Sequence, residues 1–365
     1  MSKPLHLRRR TLHAAAGLIA CAPLLASAGD WHPFVQSRVF AASDAMPVSD
    51  YDGDWAEGFA PREGRNVLLR RVRAEAGVEK DGWRLSWESR AETLIVTDRP
   101  TLAAFRLYKL RQKPAGEARY ALSARGEDWS AQGPRLGRWF GPADAAAPRL
   151  LVSGALYTHA SLRQQSVSGS LHYLLADLAD FQGQRIDANN RMRYPFMGAG
   201  PDAAGASMAL ALEWRPSSRL SLNAGIDDVL STMRWRNLPV KEERIDSLVR
   251  ETDPQGYLNF RPLLNGSNRQ VDRRFTLARS GGASLRYDAG AVLLDAGIER
   301  VPGVTIPSLG LGRRFGWGLL TGKLDMRFRT LSVGIETQHV TVGLQTDRLP
   351  LGRAKALGLS LSARY

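Results

Sequence analysis

The chain has 365 residues, 44% hydrophobic and 24% charged, with a formal net charge of +14 and one cysteine. A mean hydropathy of −0.26, with no run beyond the first residues approaching the ~18 apolar residues of a spanning helix, excludes a helical membrane protein. The lone cysteine excludes a disulfide scaffold and any cysteine-based zinc or iron–sulfur centre.

Residues 1–28 read as a secretory leader. Lys3, Arg8, Arg9 and Arg10 form a positive start, Ala14 to Ala26 an apolar core, and Ala26-Ser27-Ala28 a small-residue cleavage site. Arg9-Arg10-Thr11-Leu12 loosely resembles a twin-arginine signal. Leu18-Ile19-Ala20-Cys21 resembles a lipobox, although the segment after Cys21 stays apolar. Cleavage near Ala28 removes those four cations and no acid, leaving +10. That balance suits anionic lipid headgroups, and equally ordinary surface charge. The remainder, 29–365, reads as one domain.

Beyond residue 30 the recurring pattern is alternation with period two, the mark of strands with one apolar face. A first strand is expected over 33–42. Residues 67–78 and 83–93 form the clearest hairpin, joined at Asp81-Gly82, a preferred hairpin dipeptide. Val72, Ala74, Ala76, Trp83, Leu85 and Trp87 share one face, and Arg71, Arg73, Glu75, Arg84, Glu88, Arg90 and Glu92 the other. In 149–163, Leu150, Val152, Leu156 and Leu162 oppose Ser153, Tyr157, His159 and Ser161. Met208, Leu210, Leu212 and Trp214 alternate with Glu213 and Arg215, and Leu222, Ala224 and Ile226 with Asn223 and Asp227. No amphipathic helix is expected. Asp227-Asp228 begins a stretch that breaks alternation and reads as an inward cap or a loop turn. The glycines at 310–318 read as kinks in a curved strand rather than a nucleotide loop.

Connection lengths give a second signal. Long connections are expected at 43–65, 128–148, 178–204 and 229–270, with a medium one at 94–101. Short ones are expected at 79–82, 113–117, 164–165, 216–218 and 280–282. Slips of phase at Ala289-Gly290 and Arg329-Thr330 read as tight turns or bulges. The expected fold is all-β: a closed antiparallel transmembrane β-barrel of 14–16 strands, with short periplasmic turns and long outer loops. Scattered tryptophans, among them Trp83, Trp139, Trp214, Trp235 and Trp317, suit interfacial girdles.

The chain ends on an aromatic preceded by alternating apolar residues: Leu357, Leu359, Leu361, Ala363 and Tyr365. This resembles the assembly signal of Gram-negative outer-membrane β-barrel proteins, with Tyr where Phe is usual. The resemblance implies recognition by the barrel assembly machinery and pairing of the last strand with the first. It also implies residence in the cell outer membrane, among its lipids and lipopolysaccharide. No nucleic-acid partner is expected, and a homo-oligomer is compatible with the pattern.

Candidate lumen-lining residues are Arg71, Arg73, Glu75, Arg84, Glu88, Arg90, Glu92, His159, Ser161, His172, Glu213, Arg215, Asp227 and Arg327. Inward cations and anions nearly balance, which argues for cross-strand bracing rather than a strongly anion-selective pore. The expected function is a channel or binding barrel for a small polar or amphipathic solute, with no catalytic residue, cofactor or metal. The alternatives are an envelope scaffold or secretion-associated barrel and, third, a lipid-modifying hydrolase. His159 and Ser161, two apart, resemble in spacing the pair of the lipid A deacylases, but that pair faces lipid, whereas alternation here turns both residues inward. A plug plus a 22-stranded transporter barrel would not fit in this length.

Overall fold

The computed structural model describes residues 30–365, apart from 54, 56, 143–145, 176–177, 248–249, 253–257 and 261–263. The leader reading over 1–28, with Cys21, lies outside the described residues. Among those described, seventeen strand segments form one antiparallel sheet, and three pairs of segments run end to end, so that fourteen strands surround the axis. They are β1 (His32–Ser43), β2 (Arg65–Lys80), β3 (Trp83–Asp98), β4 (Ala118–Phe140), β5 (Arg149–Tyr157, continued by His159–Leu175), β6 (Leu178–Asn189, then Asp202–Ser217) and β7 (Leu220–Asp246). The ring continues with β8 (Leu264–Phe275, then Ser280–Asp288), β9 (Val292–Val301), β10 (Val304–Phe315), β11 (Gly318–Asp325), β12 (Thr330–Glu336), β13 (Val340–Thr346) and β14 (Ala356–Arg364). It closes where β1 pairs with β14, from Phe34 opposite Arg364 to Ala42 opposite Ala356. Closure leaves no unpaired edge, the condition for crossing a bilayer with strands.

Local chemistry explains the turns at the end bearing the termini. Asp81 and Gly82 both take positive φ, 51° and 78°, the backbone of the two-residue turn whose twist matches its strands. The phase slip at Arg329-Thr330 is a turn at the opposite end and that at Ala289-Gly290 one at the end bearing the termini, with positive φ at Arg329 and Gly290. Trp83, Phe140, Trp214, Tyr287, Phe315 and Trp317 stand exposed around this end, as an aromatic girdle would. Trp139 and Trp235 do not join it. Trp235 is 1% exposed inside the barrel, and the Arg149 guanidinium lies 4.4 Å from the Trp139 ring centre.

Three expectations are corrected. A helix, α1 (Arg99–Leu110), stands between β3 and β4. The Asp98 carboxylate accepts the Thr101 amide at 2.9 Å, proline follows in the first turn, and Arg111 ends the helix in the left-handed region, so both ends are capped. The connections expected at 94–101 and 113–117 are therefore one crossing. The strands β4 and β7 run on to Phe140 and Asp246, well into the segments expected as loops at 128–148 and 229–270. The expected turns at 164–165 and 280–282 lie within strands β5 and β8. In the upper part of β7 both faces carry polar residues and alternation no longer marks the strand, whereas the missed stretch of β4, 128–140, lies opposite Trp83–Thr93, where Gly133, Pro134 and Gly137 interrupt the alternation.

The barrel interior away from the termini is filled. One apolar cluster joins Trp129, Tyr157, Leu162, Met233, Trp235 and Leu238 on the β4–β7 wall. A second brings Val67 and Leu69 of β2 against Val301 of β9 and Ile306 of β10. Above them, the segment between β1 and β2 folds over the mouth. Asp44 takes a two-pronged contact from Arg327, 2.8 Å on each prong, and Trp55 packs with Leu102 of α1.

Candidate functional site: a charged layer across the lumen

In the β2–β3 hairpin Arg73 lies directly opposite Arg90, and Glu75 opposite Glu88. Like charges so placed are destabilising on their own, so this hairpin needs partners from elsewhere, and the ring supplies them. Arg73 reaches Asp227 of β7 at 2.9 Å and Glu88 at 2.8 Å. Arg90 makes a two-pronged contact with Asp228, at 3.0 and 2.8 Å. Arg135 of β4 donates to Glu88 at 2.9 Å and to Ser153 at 2.7 Å, and the Tyr157 hydroxyl donates to the other Glu88 oxygen at 3.2 Å. Arg84 binds Glu75 and Glu79, and rests 3.9 Å from the Phe34 ring centre. Glu92 accepts from Arg90 at 3.0 Å. Arg71 spans the lumen to Glu299 of β9 at 3.0 Å, and Arg38 of β1 meets the same carboxylate.

Glu88, Asp228, Arg90 and Tyr157 are at most 3% exposed. Water does not reach them, so on the β3–β7 side the bore is solid at this height. Ions so deeply buried are tolerable only because each carries several charged partners and hydrogen bonds.

Two bulges decide which side chains take part. In β7, Met208 pairs with Leu230 but Leu210 with Ile226, so extra residues are inserted at 227–229, with Asp228 at φ 59°. Successive acids can then both point inward. In β5, Ala155 faces Arg135 but His159 faces Gln132, so Thr158 is an extra residue. This overturns the inward placement of His159 and Ser161. Beyond the bulge the buried residue is Leu162, and its neighbours turn to the outer surface, where Ser161 meets Ser130 at 2.6 Å and His159 meets Thr158.

Other candidates lie away from the layer. His172 is on the same strand as His159, near its far end, and bonds Glu117 and Arg119. Glu213 and Arg215 are exposed near the terminal end of β6. Arg327 belongs to the turn after β11 and holds the cap through Asp44, which corrects its place on the lumen wall. Sequence reasoning missed Arg38 and Arg135, and read Asp228 only as part of an inward cap or a loop turn. Arg38 alternates with Val39 and was legible, whereas Arg135 lay in an expected loop and Asp228 is turned inward only by its bulge.

Between the layer and the terminal end lies a cavity of ≈ 910 Å³, lined by Gln36, Asn223, Thr321, Thr341, Gln345 and Ser362 among others. Its cations are paired with acids, Lys323 with Asp295 on the adjoining wall at 3.0 Å and Arg71 with Glu299 across the bore. No metal-ligating cluster occurs among the described residues.

At the cap, burial pushes the Asp44 carboxyl up, but the hydrogen bond and charge of Arg327, with Val67 N–H and Arg62, outweigh it and hold its pKa below the ordinary 3.8. Burial, then Arg348, lowers the Lys355 ammonium. Burial, then Asp52 and Asp128, raises the Tyr51 hydroxyl to about 12.

Fold and site together define a closed fourteen-stranded barrel with a charged partition across its bore. No protein-family model matches the chain, and no curated protein matches it. Among solved structures, the P. putida toluene transporter TodX is similar over 96% of this chain and 92% of its own, at 12% identity and a TM-score of 0.42. The Ralstonia pickettii toluene transporter TbuX covers the same shares at 9% identity and a TM-score of 0.33. The Escherichia coli outer-membrane protease OmpT is similar over 93% and 97%, at 8% identity and 0.22. What those barrels carry or cut is theirs; the barrel described above rests on its own strand pairing.

Proposed function

We propose that the chain is an outer-membrane β-barrel that admits a small polar or amphipathic solute into its lumen, without covalent chemistry. In this reading the leader is removed near Ala28, the termini face the periplasm, and the C-terminal strand engages the assembly machinery. The observation that carries the reading is the ≈ 910 Å³ compartment, whose lining combines small and uncharged polar side chains such as Gln36, Asn223, Thr321 and Ser362 with charged ones that pair with one another, as Arg71 does with Glu299 and Lys323 with Asp295. Uncharged hydrogen-bonding groups suit a neutral polar solute, and cations already paired to acids do not favour anions. Passage requires Arg71 to leave Glu299 and Arg73 to leave Asp227, so the partition acts as a gate.

The test is uptake of neutral solutes, and ionic current, in vesicles and planar bilayers carrying the refolded chain. Arg71→Gln with Glu299→Gln, which removes the cross-lumen pair and deprives only the solvent-exposed Arg38 of its carboxylate, is expected to raise both. No uptake by either form would instead favour the scaffold reading, which the solid bore on the β3–β7 side also supports.

A further inference from the structure

On the outside of the barrel, towards the end away from the termini, Arg234 of β7 stands directly opposite Arg274 of β8, with Ala204 of β6 on its other side. Arg234 and Arg236 are exposed, and they alternate with Met233 and Trp235, which are buried in the interior. All three arginines therefore lie on the outer surface. None of them makes an ion pair or donates a hydrogen bond among the described residues. Directly opposed side chains in an antiparallel pair stand ~5 Å apart at Cβ, where like charges repel.

The height of the pair matters as much as its charge. Leu230 and Met208, outward on the same strands, are 62% and 41% exposed and mark the upper part of the apolar band. Above them come Thr232 and then Arg234. The acids nearby do not resolve the repulsion. Asp202 lies across from Arg236, and Asp272 accepts the Asn237 amide at 3.0 Å; both stand farther from the band than Arg234. Two guanidinium groups are thus held side by side where hydrocarbon gives way to headgroups, and the described residues offer them no counter-ion. The bilayer does. A guanidinium presents a planar fork that matches phosphate oxygens two at a time.

We infer that Arg234 and Arg274 clasp a phosphate of an outer-leaflet lipid, the phosphorylated headgroup of lipopolysaccharide, with Arg236 as a second contact. The inference rests on the membrane reading above and adds a fixed lipid site to it. The site explains why a like-charge pair persists on the barrel surface: the pair is neutral only when the lipid is present.

The test uses the refolded chain in phosphatidylcholine vesicles alone, with bisphosphorylated lipid A, and with the same lipid stripped of phosphate. The readouts are phosphate retained per barrel after extraction and the temperature at which the barrel unfolds. The native chain is expected to retain phosphorylated lipid A and to unfold at a higher temperature in its presence. Arg234→Gln with Arg274→Gln should bind it about tenfold more weakly, as loss of charged hydrogen bonds implies. In plain phosphatidylcholine the same variant should be at least as stable as the native chain, since the repulsion is gone. Lys80→Gln, at the opposite end, should retain lipid A. Equal retention by native chain and double variant, or of lipid with and without phosphate, overturns the site. A chain that does not insert into phosphatidylcholine overturns the membrane reading instead, so the two failures are distinct.

Discussion

Arg71 and Glu299 meet at 3.0 Å although their strands stand seven places apart in a ring of fourteen. A circular barrel of that size, with strands ~4.8 Å apart and tilted ~40°, would be roughly 28 Å across. Extended Arg and Glu side chains in contact separate their α-carbons by no more than roughly 15 Å. The barrel is therefore pinched at this height, and Val67 and Leu69 against Val301 and Ile306 continue the pinch as a dry core above it.

The partition is expected to be worth much of the barrel's stability. Asp228 is 2% exposed and receives Arg90 twice and Ser207 once, the last at 2.6 Å. Asp228→Ala leaves Arg90 buried with only Glu92 and Tyr157, and should cost about 3–5 kcal/mol, the range for breaking a buried ion pair from one side. Urea unfolding in detergent, followed by loss of the heat-modifiable band, measures it. A cost under about 1 kcal/mol would mean that water enters the layer.

The apolar cluster above it should behave as a protein core, not as a wetted pore lining. Trp235→Ala removes a side chain 1% exposed and is expected to destabilise by about 3–5 kcal/mol. Trp83→Ala, exposed at the terminal end, should cost far less in detergent. Unfolding midpoints of the two variants decide the matter.

The Thr158 bulge predicts a labelling pattern. The lone cysteine is Cys21, so a Cys21→Ala background isolates any cysteine introduced later in the chain. His159→Cys and Ser161→Cys should react readily with a maleimide added from outside, whereas Leu162→Cys, from a residue 1% exposed, should not. The reverse pattern would return strict alternation to β5 and His159 to the lumen.

The cap should loosen in acid. Asp44 has its folded pKa held below the unfolded value of 3.8. Its contribution is therefore complete above about pH 5 and is lost as pH falls through the folded value. Proteolysis of the segment between β1 and β2 should accelerate below about pH 4. Asp44→Asn should show the fast rate already at pH 7, with the low-pH change flattened, because Arg327 loses its charged partner at every pH.

The barrel class was legible because alternation and the terminal aromatic strand are both local signals. The turn at Asp81-Gly82 and the charged face of β2 and β3 followed from the same signal. Bulges were not legible. Thr158 and Asp228 are ordinary residues whose insertion shows only in the partner strand's register; the single residue at Thr158 reverses the side of every residue after it, whereas the two residues inserted around Asp228 leave the later ones in phase. Helix α1 escaped because Asp98 and Pro100 form a start signal that is readable only once a strand is known to end there. The far end of β7 escaped because it rises beyond the band that imposes alternation, and residues 128–140 of β4 escaped because Gly133, Pro134 and Gly137 interrupt it.

Those tall strands have a consequence for how the molecule meets its neighbours. β7 has 27 residues and β12 seven. At ~3.3 Å per residue and a common tilt, the rims differ in height by on the order of 50 Å. The mouth is lopsided, a screen along one flank and a doorstep along the other. In a crowded membrane, a neighbour settled against the screen leaves the entrance open, while one settled against the doorstep shuts it. Which way the barrel is turned in the plane therefore governs what can reach it.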